Sequence, residues 1–334
     1  MSIKGYKAFN KGMICKGKQY EENTTYEENG NKICKAGVMH FCENPFDVLN
    51  YYPLIDKDGN ISDFADVEAI GDIYKEKDKT ATNKLHIGAK LGLKGFIKAC
   101  VDFTIEKTKV ETVKADDVGI SSGDSAQIGS SGYYAQIGSS GDYAQIGSSG
   151  YSAQIGSSGD SAQIGSSGDY AQIGSSGDSA KIGSSGYSAQ IGSSGDSAQI
   201  GSSGYSAQIG SSGDSAQIGS SGDYAQIGSS GDYAQIGSSG DSAKIGSSGY
   251  SAKITSEGNN SVVMAAGYNS IAKAKIGSWI TLAEWIRTDK ANDSGNYIWI
   301  PKCVKTEYVD GERIKEDIFY KLVDGEFKEV ESED

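Results

Sequence analysis

The sequence predicts a mainly β chain organised around a parallel β-solenoid, or β-roll, with 18-residue coils. Three observations lead there. A nine-residue unit, Gly-Ser-Ser-Gly-(Asp/Tyr)-(Ser/Tyr)-Ala-(Gln/Lys)-Ile, recurs fifteen times without an insertion, so that isoleucine falls at Ile128, Ile137, Ile146 and onward to Ile254. A unit this short cannot bury its own apolar side chains and must stack on copies of itself. Glycine is abundant (46) and periodic while proline is scarce (3), which suits a wound chain. Glycine spaced three then six apart, without proline, excludes collagen. Finally, the variable positions alternate with a period of two units, so one coil takes two nonapeptides.

Within a unit, Ala-Gln-Ile reads as a short strand with Ala126 and Ile128 inward and Gln127 outward, because strand side chains alternate. The Gly-Ser-Ser-Gly that follows reads as a corner, its glycines supplying positive φ, with the next Asp closing an Asx-type turn. The first copy departs, carrying Ile120 in place of the leading glycine. Seven to eight rungs at ~4.8 Å spacing give a rod of roughly 35 Å. Stacked amides such as Gln127, Gln145 and Gln163 are expected to form a ladder along it.

The two-unit coil sorts the variable residues onto two sides. Odd units carry Asp124, Asp142, Asp160, Asp178, Asp196, Asp214 and Asp232, then Tyr250. Even units carry Tyr133, Tyr151, Tyr187 and Tyr205, with Tyr170 and Tyr224 restoring the ring one place later. An Asp/Ser row and a Tyr/Gln row are therefore the candidate binding faces. An Asp row at rung spacing repels itself by ~0.9 kcal/mol per neighbour in water, so cations are expected along it. The repeat block holds ten Asp against Lys181, Lys244 and Lys253, and the whole chain has net charge −13, which argues against a nucleic-acid partner.

The unit resembles three repeat classes in part. The calcium-binding nonapeptide of secreted β-rolls has its Asp one place later than Asp124 when aligned on Gly123, which puts calcium in doubt. Bacterial ice-nucleation repeats share the Tyr-per-turn pattern but use flat Thr arrays, and Thr first enters the unit at Thr255. Trimeric adhesin heads share small polar rungs but bring a heptad stalk. Each resemblance implies a solenoid; ice organisation and adhesion remain alternative readings.

The flanks divide the chain into an α+β module at 1–112, the solenoid at 113–277 and an antiparallel β cap at 278–334. Strand-like segments are Lys7–Phe9, Met13–Cys15, Phe64–Ile70 and Lys84–Ile87; helix-like segments are Pro45–Tyr52 and Leu93–Cys100. Val110–Val118 is polar overall and joins module to coil. Trp279–Ile286 and Tyr297–Ile300 alternate as strands, Asp310-Gly311 and Asp324-Gly325 read as hairpin turns, and the three Trp read as the core of the cap. Both flanks are expected to close the open ends of the rod.

Five cysteines, odd in number and outside the repeats, suit a reducing compartment. Cys15, Cys34, His40 and Cys42 have zinc-ligand chemistry, but their spacing fits no standard knuckle, so ordinary thiols and a structural histidine are the stronger reading. No phosphate loop, nucleophile elbow or paired-carboxylate signature is present, and nothing calls for a cofactor. No apolar run reaches the ~18 residues of a membrane span and no leader-like start is found, so a cytoplasmic location without a membrane partner is expected.

The order Gly5-Tyr6-Lys7-Ala8-Phe9-Asn10, Cys15-Lys16-Gly17-Lys18-Gln19-Tyr20 and Met39-His40-Phe41-Cys42-Glu43-Asn44-Pro45 resembles the amino-terminal module of an uncharacterised family found in bacterial prophages and phages. Gly277-Ser-Trp-Ile-Thr-Leu-Ala-Glu-Trp285 and Val309-Asp-Gly-Glu312 look like the tail of the same family. The resemblance implies phage ancestry and assigns no chemistry. The functional expectation is a non-enzymatic scaffold that binds a protein or surface partner, or itself through its ends or faces. The alternative is an enzyme or small-ligand binder carried on a stalk.

Overall fold

The structure, a computed structural model, describes residues 2–30, 37–108, 118–291 and 297–331. Two parallel sheets face each other along a solenoid of about nine turns. Register confirms two nonapeptides per coil: Ile128 pairs with Ile146 and Ile137 with Ile155, eighteen residues apart. Odd units build one sheet, from Gln127–Ser130 to Ile271–Lys273, and even units the other, from Val118–Ser121 through Val262–Ala265 to Trp279–Ala291. The rod exceeds the expected seven to eight rungs because Val118–Ser121, Val262–Ala265 and Ile271–Lys273, outside the fifteen repeat strands, continue its sheets, and the carboxy-terminal cap adds Trp279–Ala291.

The strands run Gln-Ile-Gly-Ser rather than Ala-Gln-Ile. Ala and Ile point inward as expected, with Ala144, Ile146, Ala162 and Ile164 fully buried. The third inward residue is a serine that the sequence assigned to the corner, such as Ser148 or Ser166. Strand alternation extends through the Gly-Ser pair because extended backbone continues the ladder there.

The corner glycines do not adopt positive φ. That conformation falls on the second variable residue, as in Ser125 (φ 59°), Tyr143 (57°) and Ser161 (56°). Glycine is needed instead for close stacking: a Cβ at Gly141 or Gly150 would fall on the carbonyl oxygen of Gly123 or Gly132 in the coil before it.

The amino-terminal module holds an antiparallel sheet in the order Ile3–Phe9, Asp63–Ala69, Lys84–Leu91, Thr24–Glu27, and a smaller one in the order Met39–Phe41, Thr80–Thr82, Ile73–Lys75. Pro45–Asn50 is a 3-10 helix, opened by Asn44, whose side chain accepts from the Phe46 N–H at 3.1 Å. The α-helix spans Leu93–Lys107, seven residues beyond the expected end. Its second half is β-branched and reads poorly as helix; burial of Val101 and Thr104 supplies the missing stabilisation. The joining segment at 109–117, which takes in most of Val110–Val118, lies outside the described residues.

The module does not cap the rod; it lies along the side of the odd-unit sheet, hereafter the covered sheet. One helix face packs on the module's own sheet, where the Phe64 and Phe96 rings stack at 3.7 Å. The other face lies on the solenoid. Ile120, on the first strand of the opposite sheet, stays 81% exposed.

The far end is closed. Trp279–Ala291 joins in parallel through Val262↔Trp279 and then turns back as a hairpin with Tyr297–Tyr308. Phe319–Val323 and Glu326–Val330 extend the covered sheet, joined by Asp324-Gly325 with both φ positive, as a tight hairpin requires. Asp310-Gly311 is not a hairpin: the Asp310 carboxylate caps a loop, accepting from the N–H groups of Glu312, Arg313 and Ile314. Nor do the Trp form the core. Trp279 and Trp299 are 46% and 40% exposed, and the Trp285 indole donates to the Ala266 carbonyl at 2.9 Å; Ile280, Leu282, Tyr320 and Leu322 fill the interior.

Candidate functional site

The two edges of the rod use different backbone chemistry. At the odd corner, each Asp carboxylate accepts the N–H of the next rung: Asp160 donates to Asp142 at 2.9 Å, Asp196 to Asp178 and Asp214 to Asp196 at 2.8 Å. The residue after each Asp, at positive φ, sends its N–H forward, as Ser161 does to the Asp178 carbonyl at 2.8 Å. At the even corner Tyr replaces Asp and the same amide points backward, as Ser152 does to the Tyr133 carbonyl at 2.9 Å. One peptide thus takes either of two directions along the rod.

The choice follows the run of neighbouring rungs, not the single residue. Asp169, flanked by tyrosine rungs, keeps the backward arrangement, accepting from Ser188. From Asp223 the even corner switches: Tyr224 takes φ 59° and donates to the Asp241 carbonyl, and the Asp241 N–H turns to the Asp223 carboxylate at 3.0 Å. A hydrogen bond to a charged acceptor is worth about 1.5–3 kcal/mol, more than the repulsion between neighbouring carboxylates in water. The Asp row from Asp124 to Asp232 is a ladder of caps that ends on the Tyr250 N–H.

The tyrosines collect along the even edge. Tyr133 and Tyr151 stack at 4.8 Å and Tyr187 and Tyr205 at 5.2 Å, with Tyr170 and Tyr224 tilted at the end of each group. The ring faces are turned toward one another. Desolvation within the stack, then the neighbouring Tyr170 hydroxyl, raises the Tyr151 hydroxyl above its ordinary range. The odd edge carries a second run the sequence did not single out: Tyr233, Tyr250, Tyr268 and Trp299.

The sheet faces differ most. On the covered sheet Lys181 donates to the Phe46 carbonyl at 3.1 Å and to Asn50 at 2.6 Å, and Gln217 accepts from the Leu54 N–H at 3.0 Å. Lys253 reaches the Lys57 carbonyl, Thr255 the Gly59 carbonyl, and Lys273 the Asn60 side chain. Lys181, Lys253, Thr255 and Lys273 depart from the Gln-Ile-Gly consensus, a signal the sequence reading missed, and all four fall where the module docks. The expected amide ladder is interrupted for the same reason. Gln127 donates to Gln145 at 3.3 Å, whereas Gln163 accepts from Asn44 at 3.1 Å.

The even-unit, open sheet presents the same Gln and Gly columns with nothing packed on them among the described residues. A long shallow groove runs over Gly138, Gly156, Gly174, Gly192, Gly210 and Gly228, bordered by Gln136 and its successors.

The module holds a further cavity of about 570 Å³, walled by Tyr20, Met39, Phe41, Tyr51 and Tyr52, with Lys7, Lys16, Lys18, Lys79 and Glu28 at its lining. Lys7 is buried, donates to the His40 carbonyl at 2.8 Å and lies 5.6 Å from the Tyr20 ring; burial lowers its pKa. Cys15 and Cys42 line the same cavity, and Tyr52 donates to the Cys15 sulfur at 3.1 Å. Burial pushes the Cys42 thiol up to about 12, and burial, with Lys7 next, lowers His40. Cys34 lies outside the described residues. Among those described, no three His, Cys, Asp or Glu side chains gather as a metal site. No described helix is long and apolar enough to cross a membrane.

Fold and surfaces define a β-solenoid repeat protein with a module docked along one side. Residues 3–99, within that module, match the family described as Domain of unknown function (DUF7666). No curated protein and no solved structure matches the chain.

Proposed function

We propose that the chain is a structural scaffold without catalytic function, a rigid rod whose side-docked module leaves one sheet and the tyrosine edge to meet a partner. The observation that carries this reading is the use of the Leu93–Lys107 helix. The module's one described α-helix buries Ile97 and Val101 against repeat glycines, so module and rod share a buried interface while each keeps its own apolar core. The resemblance of both flanks to a phage and prophage family supports assigning the scaffold to a phage particle or an infected cell. A thermal melt followed by hydrogen exchange tests it. Protection in Lys84–Leu91 and in the central rungs should be lost in one transition; two separate transitions would overturn the single-body scaffold.

A second reading rests on the cavity beside Lys7. A buried amine with no carboxylate partner among the described residues, in a cavity where Lys18 takes the Glu28 carboxylate, suits a small organic anion with an apolar body. Thermal-shift screening of aromatic carboxylates should then raise the melting temperature of the wild type and not of Lys7→Met. A flat screen would dismiss it.

A further inference from the structure

The open sheet carries a column of glycines that the fold does not require. None of Gly138, Gly156, Gly174, Gly192, Gly210 or Gly228 has positive φ, and a Cβ added at any of them meets nothing within 4 Å. An outward glycine in a strand weakens it by leaving no side chain to pack, and often marks a close approach by another backbone or ligand. At the equivalent column of the covered sheet the reason for glycine is visible. A Cβ at Gly219 would lie 3.3 Å from Leu93, at Gly201 2.9 Å from Ile97, at Gly183 3.4 Å from Val101 and at Gly165 2.9 Å from Thr104. One helical turn of ~5.4 Å matches one rung of ~4.8 Å, so a stripe at three- and four-residue spacing lies along the glycine channel.

The same unit, in the same register, therefore shows within one molecule what its surface receives. We infer that the open sheet is a docking groove for an amphipathic α-helix of a partner protein, its small aliphatic stripe seated in the glycine channel.

Two further features fit. In the same two columns the channel ends in exposed apolar residues, Val118 and Ile120 at the start and Val262 and Met264 at the finish. Between them, Gly138 to Gly246 spans six rungs, ~29 Å, the length of a helix of about 19 residues. Lys244 occupies the Gln column as Lys181 does on the other sheet, where the amine takes a carbonyl of the docked module. A partner carbonyl or carboxylate at that end meets it.

The inference rests on the scaffold reading and is tested separately from it. The probe is a labelled peptide of this chain's own residues 92–108, titrated by fluorescence anisotropy into the full-length protein. Saturable binding is expected, weakened at least about tenfold by Gly174→Arg with Gly192→Arg and less by Lys244→Glu, and absent for a peptide with Ile97→Asp and Val101→Asp. The glycine variants should melt with the wild type, and Lys244→Glu keeps the test alive if they do not.

No binding up to about 1 mM peptide, or binding unchanged in all groove variants because the peptide displaces the resident helix, overturns the proposal. So does sedimentation showing a wild-type dimer that the glycine variants dissolve, since the groove would then receive a second copy. None of these outcomes alters the single-transition melt by which the scaffold reading is judged.

Discussion

Covered and open sheets are made from the same Gln-Ile-Gly-Ser strand, yet one is sealed by side chains of the amino-terminal module while the other meets solvent. A repeat specifies its own stacking through the inward Ala, Ile and Ser. What lies on its outer surface is decided elsewhere, by a few positions such as Lys181, Lys253 and Thr255 that break the consensus and by the stripe on the Leu93–Lys107 helix. Identical units can therefore carry different energetic weight according to which side of the coil they fall on.

The largest expected effect lies in the helix itself. Ile97→Ala should cost about 2–5 kcal/mol in urea unfolding, the usual range for a buried aliphatic residue, whereas Gln190→Ala on the open sheet should stay within about 0.5 kcal/mol. Next comes one substitution made twice. Gly201→Leu should destabilise by about 1–3 kcal/mol through overpacking against Ile97, while Gly192→Leu, facing open space, should be close to neutral. Equal costs at both glycines would end the distinction between the sheets.

The inward serines sharpen the comparison. On the covered sheet the Ser202 hydroxyl accepts from the Gly204 N–H at 3.3 Å, but on the open sheet the buried Ser193 hydroxyl has no hydrogen-bond partner. Ser202→Ala should lose up to about 1 kcal/mol, and Ser193→Ala should be neutral or stabilising because an unpaired buried hydroxyl is itself a cost. Paired melting curves decide.

The smallest effect is a pH slope. Burial lowers Lys181 below its ordinary value of 10.5, with the Asp47 carboxylate opposing the shift. Between the lowered folded value and 10.5 the unfolded chain holds a proton that the folded chain has shed, so stability rises with pH across that window. Lys181→Gln, which restores the consensus residue, should flatten that rise relative to the wild type in unfolding curves taken from neutral to pH 10.

Much of the rod was legible because its period is a property of sequence: the 18-residue coil, the inward Ile and Ala, the segregation of Tyr133, Tyr151 and Tyr187 from the Asp column, and the hairpin at Asp324-Gly325. The corner was misread because glycine serves both positive φ and close approach, and only neighbouring coils reveal that Gly141 is there for the second reason. That the Asp row caps backbone amides one coil away depends on register between rungs, which no single unit contains. The side-on docking of the module was hidden for a related cause. Val101, Thr104 and Thr108 lack a convincing helical preference of their own, and their surface becomes a stripe only opposite the glycines it meets.

The two-unit coil also governs how the gene can change length. Gain or loss of eighteen residues would lengthen or shorten the rod by one rung and leave every later residue on its own side. Slippage by nine would exchange the sides for everything downstream, turning Lys253 and Thr255 away from the backbone carbonyls that receive them and carrying bare glycine columns under the module. A step of eighteen thus keeps the two sides and shifts the module's contacts by a single rung, whereas a step of nine also exchanges the sides.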